Sequence, residues 1–131
     1  MKAIYTMLLQ PDDEAGYIVT VPDVDGCITS GETFGEAVAM GKDALCGCLL
    51  TYEDRGIEIR RPRAVDEIER EADEIPVCVE IDTVEYRRMT DTKAVRKNVS
   101  MPAWLASLAE ARNLNLSQVL QAALRKELGV E

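Results

Sequence analysis

Val95-Arg96-Lys97-Asn98-Val99-Ser100-Met101-Pro102 is the stretch on which the reading of this chain turns. Its side chains alternate: Val99 and Met101 fall on one face of an extended strand, and Arg96, Asn98 and Ser100 on the other. Two helical patterns follow. Pro102 can open the first, in which Leu105, Leu108, Ala109 and Arg112 recur at helical spacing. Asn115 and Gln118 form a capping box for the second, which carries Leu116, Val119, Leu120, Ala123, Leu124 and Leu128 on one stripe. One strand and two short helices, in about forty residues, bury too little surface to fold alone, so this unit is expected to dimerise. Two copies can pair their strands into an antiparallel ribbon of a size that enters the DNA major groove. Arg96, Asn98 and Ser100 would then reach base edges, since Arg suits guanine, Asn suits adenine and Ser suits either. Lys97 has the opposite parity and is expected on a phosphate. Asn115 and Ser117, at the start of the second helix, are expected there as well, beside free backbone N–H groups.

The pattern resembles the ribbon-helix-helix repressors. More narrowly, Arg96-Lys97-Asn98-Val99-x-Met101-Pro102-x-Trp104-Leu105, followed by Leu116-Ser117-Gln118-Val119-Leu120-Gln121-x-Ala123-Leu124, resembles the C-terminal domain of HicB-family antitoxins.

Charge divides the chain. The whole carries a net −9 with no histidine. Residues 1–89 hold 9 Lys+Arg against 20 Asp+Glu, a net −11, while residues 90–131 hold 6 against 4, a net +2. An acidic front repels nucleic acid and attracts a basic protein, whereas the tail tolerates phosphates. No apolar run approaches the length of a membrane span, and the first residues lack a signal-peptide core, so a cytoplasmic protein without a membrane partner is expected. Cys27, Cys46, Cys48 and Cys78 lack zinc spacing and read as structural thiols. No cofactor or metal is expected.

In the front, Lys2–Leu9 and Gly16–Val21 read as a hairpin, and Cys27–Thr29 as a short third strand. Thr33 caps a helix in which Phe34, Ala37, Val38, Gly41, Ala44, Leu45, Cys48, Leu49 and Tyr52 recur for five turns, and Arg55-Gly56 ends it. Ile57–Val65 is extended and basic, Asp66–Glu74 is an acidic loop or short helix, and Ile75–Ile81 is a strand. The class is therefore α+β: a β-β-β-α-β domain over residues 1–84, a linker or short helix at 85–92, and a ribbon-helix-helix domain at 93–131. The run Val21-Pro22-Asp23-Val24-Asp25-Gly26-Cys27-Ile28-Thr29-Ser30-Gly31-Glu32-Thr33 resembles the HicB N-terminal domain, and that resemblance implies a truncated, inactive ribonuclease H-like fold.

Two alternatives stand beside it. Asp23 and Asp25 follow a strand, as metal-holding carboxylates of a nuclease do, but further convergent carboxylates are not evident and Asp beside Pro and Gly is turn chemistry. A repressor gated by a small ligand is the other, although no pocket is marked. The HicB resemblance implies a non-enzymatic antitoxin whose front domain neutralises a HicA-like toxin, a small basic ribonuclease that cleaves mRNA. Its tail would repress the operon by binding operator DNA as a homodimer, with a tetramer open to the front domains. Asp23 and Asp25 are then expected at the toxin surface.

Overall fold

The computed structural model describes residues 1–130, which form two compact units, Met1–Asp91 and Thr92 onward. In the first, β1 (Lys2–Asp12), β2 (Gly16–Thr20), β3 (Ile28–Gly31) and β4 (Ile75–Asp82) make one antiparallel sheet in the order β3-β2-β1-β4. Helix α1 (Phe34–Arg55) crosses one face. Alternation puts Tyr5, Met7, Leu9, Val19, Val79 and Ile81 beneath it, all buried. From α1 come Ala37, Gly41, Leu45, Cys46 and Leu49, the stripe the helical spacing marks, with Cys46 added to it.

Glycine sets how closely α1 approaches. A Cβ on Gly41 would lie 2.6 Å from Met7 Sδ and 2.8 Å from Val19 Cγ1, and one on Gly31 would lie 2.4 Å from the Ala37 backbone nitrogen. The caps form as expected: the Glu36 N–H donates to Thr33 Oγ1 at 3.1 Å, and Gly56 ends the helix at φ +66°. The third strand starts one residue later than expected. Cys27 is held in the preceding turn, where its N–H donates to the Val24 carbonyl and its carbonyl accepts from the Val21 N–H.

After α1 the chain returns as an extended strap. The Ile57 N–H donates to the Tyr52 carbonyl, and Arg63 closes the far end on Asp23. The acidic run then forms a 3-10 turn (Val65–Glu67), and Gln10 donates to Glu71 and Asp73. Residues 85–92, expected mainly as linker, are instead largely helix. Asp82 ends β4 and caps α2 (Thr83–Thr90) by accepting from the Val84 and Glu85 N–H groups. Those bonds, the Glu85 amide first, hold its carboxyl below the usual range.

In the second unit, Pro102 opens α3 (Ala103–Ala111), and Asn115 caps α4 (Leu116–Leu128). Asn113 turns the chain between them at φ +53°, a left-handed conformation that asparagine tolerates. The strand expected over Val95–Met101 is not formed: residues 91–102 carry no regular structure. A strand is defined by its ladder, and in a single chain this segment has no second strand beside it.

Gly41→Leu should destabilise the front unit by about 1–3 kcal/mol through overpacking, seen as a lower urea midpoint at unchanged slope. Asp23→Ala should release the strap, so trypsin should cut after Arg60 and Arg63 faster than in the wild type while the sheet persists.

Candidate functional site

Each unit presents its own surface. In the front unit the loop after β2 brings Asp23 to Arg63, whose backbone N–H donates to Oδ2 at 2.8 Å and whose Nε donates to Oδ1 at 2.6 Å. The Asp23 side chain is only 10% exposed. Its charge is thus committed to holding the strap, a use that its Pro-Asp-Val-Asp-Gly setting did not disclose. Asp25 is exposed, and its backbone carbonyl accepts from Tyr52 Oη at 3.4 Å. Asp23, Asp25, Tyr52, Arg60, Arg61 and Arg63 border a groove of about 510 Å³. Arginines among the carboxylates give that groove a cationic side, which is the wrong environment for gathering a divalent ion. Among the described residues no three His, Cys, Asp or Glu groups converge as a metal site.

Tyr5 is wholly buried, and among the described residues its hydroxyl has no hydrogen-bond partner. Burial, and then the Asp23 charge, push its phenol up. Cys27 is buried with Cys48 beside it, and burial pushes its thiol up to about 12, which makes it a poor nucleophile. Cys46 is also buried, while Cys78 is exposed on β4, its sulfur 3.6 Å from Thr6 Oγ1.

A second set of carboxylates lies along α1. Tyr86 donates to Asp43 at 2.9 Å, and Arg87 donates to Asp54 at 2.8 Å with Glu53 3.6 Å away. The bond to Asp43 pushes the Tyr86 phenol up, and the bond to Asp54 raises Arg87. Glu53 also accepts from buried Thr83, whose backbone N–H donates to the Met1 carbonyl. Sequence reading missed this cluster, although Arg87 and Tyr86 adjoin an acidic helix end only in space.

In the second unit Arg96, Lys97, Asn98 and Ser100 are all exposed on the irregular segment 91–102. Asn115 caps this helix through Oδ1, accepting from the Gln118 N–H at 3.1 Å, and Asn115 and Ser117 are both exposed at the helix start. None of the described residues of this unit is buried. Val99, Leu105, Leu108, Leu116, Val119, Leu124 and Leu128 are between 43% and 70% exposed, an apolar stripe along this unit.

Residues 5–123 match the family described as a HicB-like antitoxin of bacterial toxin-antitoxin systems. Antitoxin HicB 1 of Photorhabdus laumondii is 36% identical over 61 residues, which are 47% of this chain and 39% of that protein. The chain thus matches well under half the length of that relative. An uncharacterised 14.9 kDa protein of Haemophilus phage HP1 is 27% identical over 69% of this chain and 67% of its own. Among solved structures, the Burkholderia pseudomallei antitoxin HicB superposes with a TM-score of 0.57 at 26% identity, covering 95% of this chain and 98% of that one. A chain of a toxin-antitoxin complex from Streptococcus pneumoniae shares the fold, with a TM-score of 0.60 at 24% identity over 97% and 99%. Since the family match runs from Tyr5 in β1 to Ala123 in α4, through both units, this chain belongs to the HicB-like antitoxin family of bacterial toxin-antitoxin systems.

Proposed function

We propose that the front unit neutralises a HicA-like toxin and that the tail, as a homodimer, represses the operon by binding its operator in the cytoplasm. The observation that carries the tail's part is the uncovered stripe on α3 and α4. A unit with no buried residue among those described and seven large apolar side chains more than 40% exposed along its helices gains its core from a second copy. In that dimer segment 95–101 acquires the strand partner it lacks here. Val99 and Met101 then face the shared core, and Arg96, Asn98 and Ser100 face the groove.

The front unit's part rests on charge. With −11 over residues 1–89, its field favours a cationic protein surface and repels RNA, so it can compete with RNA for a basic ribonuclease. Exposed Asp25 is available to such a partner. Asp23 serves chiefly by holding the strap. A metal-dependent nuclease reading is set aside, because Asp23 is already paired with Arg63 and the family is one of antitoxins.

Arg96→Ala or Asn98→Ala should weaken operator binding by about 1–3 kcal/mol per lost base contact in a gel-shift titration, with rescue from toxicity unchanged. Lys97→Ala should weaken binding to all sequences alike and flatten its salt dependence. Val99→Asp should dissolve the tail dimer, because it buries an unpaired carboxylate. Full operator affinity in an Arg96→Ala, Asn98→Ala double variant would show that another segment reads the DNA.

Separated fragments test the division of labour. Residues 1–91 should bind toxin in a pull-down, and residues 92–131 should sediment as a dimer. Toxin binding that needed the tail would end the two-unit reading.

A further inference from the structure

Two thiols meet where the loop after β2 lies on α1. That loop is fastened to the helix at Tyr52, whose Oη donates to the Asp25 carbonyl at 3.4 Å. Cys48 stands one turn earlier on the same face of α1, and Cys27 stands just after Asp25 in the loop. The two side chains accordingly lie together, close enough for one thiol to hydrogen-bond the other. Both are carried on fixed backbone. Cys48 is inside the helix. Cys27 closes a turn in which its N–H donates to the Val24 carbonyl at 3.2 Å and its carbonyl accepts from the Val21 N–H at 3.2 Å. Gly26 supplies the left-handed residue of that turn at φ +78°.

The other two cysteines face elsewhere. Cys46 is two residues from Cys48, about 200° around the helix, and its charged neighbours are Lys42, Asp43 and Asp82. Cys78 pairs with Thr6, and their side chains meet on the sheet face turned away from α1, since the adjacent Tyr5 and Val79 lie beneath the helix. Within the pair, Cys27 is buried and Cys48 is half-buried, so a small reagent reaches Cys48 first.

We infer that Cys27 and Cys48 are a redox pair, which a small soluble disulfide converts to an intramolecular disulfide that fastens the loop bearing Asp23 and Asp25 to α1. The Cys48 thiolate attacks one sulfur of the small disulfide. That sulfur–sulfur bond breaks, and the departing thiolate takes up the proton Cys48 gave up. The Cys27 sulfur then attacks the Cys48 sulfur of the mixed disulfide, and its proton goes to the second departing thiolate. Two protein thiols are oxidised and one small disulfide is reduced to two thiols. Burial keeps the Cys27 thiolate scarce, which makes the second step the slow one, while contact with Cys48 raises the effective concentration of its target.

The consequence falls on the strap. Asp23 lies in this loop and holds Arg63 at 2.6 Å, so a loop bonded to α1 keeps the strap in place. In the reduced chain hydrogen bonds and packing alone hold the loop, and it can open locally. This device goes beyond the proposed function and is independent of it.

The full chain carrying Cys78→Ser, which removes the exposed thiol that would itself take up glutathione, should be treated with oxidised glutathione. Its three remaining thiols should fall to one, with two hydrogens lost and no glutathione attached. Peptide mapping with fragmentation should place the bond between Cys27 and Cys48. Adding Cys48→Ala should abolish the bond, and adding Cys46→Ala should keep it. Trypsin should cut the oxidised chain after Arg63 at least about tenfold more slowly than the reduced chain, and dithiothreitol should restore the faster rate. The peptide map decides the pairing even if Cys48→Ala fails to fold. Three thiols retained, a glutathione adduct alone, a bond to Cys46, or cleavage unchanged by oxidation would each overturn the inference.

Discussion

The front unit depends on how closely α1 can lie on the sheet. Gly41 over Met7 and Val19, and Gly31 beneath Ala37, remove the two β-carbons that would hold the helix away. At that distance Leu45 and Leu49 reach among Tyr5, Leu9, Val79 and Ile81, and a single helix closes a core against four strands. Dispersion falls steeply with separation, so a helix lifted by even part of an ångström would lose contact along its length. The small residues within the helical stripe are therefore the condition for the core rather than gaps in it.

Polar contacts help to tie down the segments around that core. Asp23 fastens the strap through Arg63, Gln10 holds the acidic loop, and Asp43, Glu53 and Asp54 hold α2 through Tyr86, Thr83 and Arg87. Much of the acidity concentrated in the front thus has structural employment, while enough stays at the surface to keep the unit strongly anionic. Both uses of a carboxylate coexist because a surface pair contributes little to stability and stays hydrated, so its field still reaches a partner.

The two units are built on opposite principles. The first encloses its apolar residues within one chain. The second displays them along α3 and α4, and its segment 91–102 carries no regular structure. The core of the front is thus complete within a single chain, whatever covers the tail's stripe.

Local chemistry made much of this legible in sequence. Periodicity marked α1 and its buried face, Thr33 and Gly56 marked its ends, Asn115 marked the start of α4, and β propensity between turn residues marked β1 and β2. These signals travel along the chain, so residues within a few positions of one another suffice to carry them. What needed the tertiary structure was every pairing across distance: Asp23 with Arg63, forty residues away, Tyr86 with Asp43, and β4 passing through Asp82 into α2 instead of a linker. Alternation could mark Val95–Met101 as strand-like, but it could not supply the second strand. The sequence by itself determined which segments can be helix or strand and which unit lacks a core. Only the tertiary structure decided which carboxylates hold the fold, because a hydrogen bond or ion pair depends on separation in space rather than along the chain.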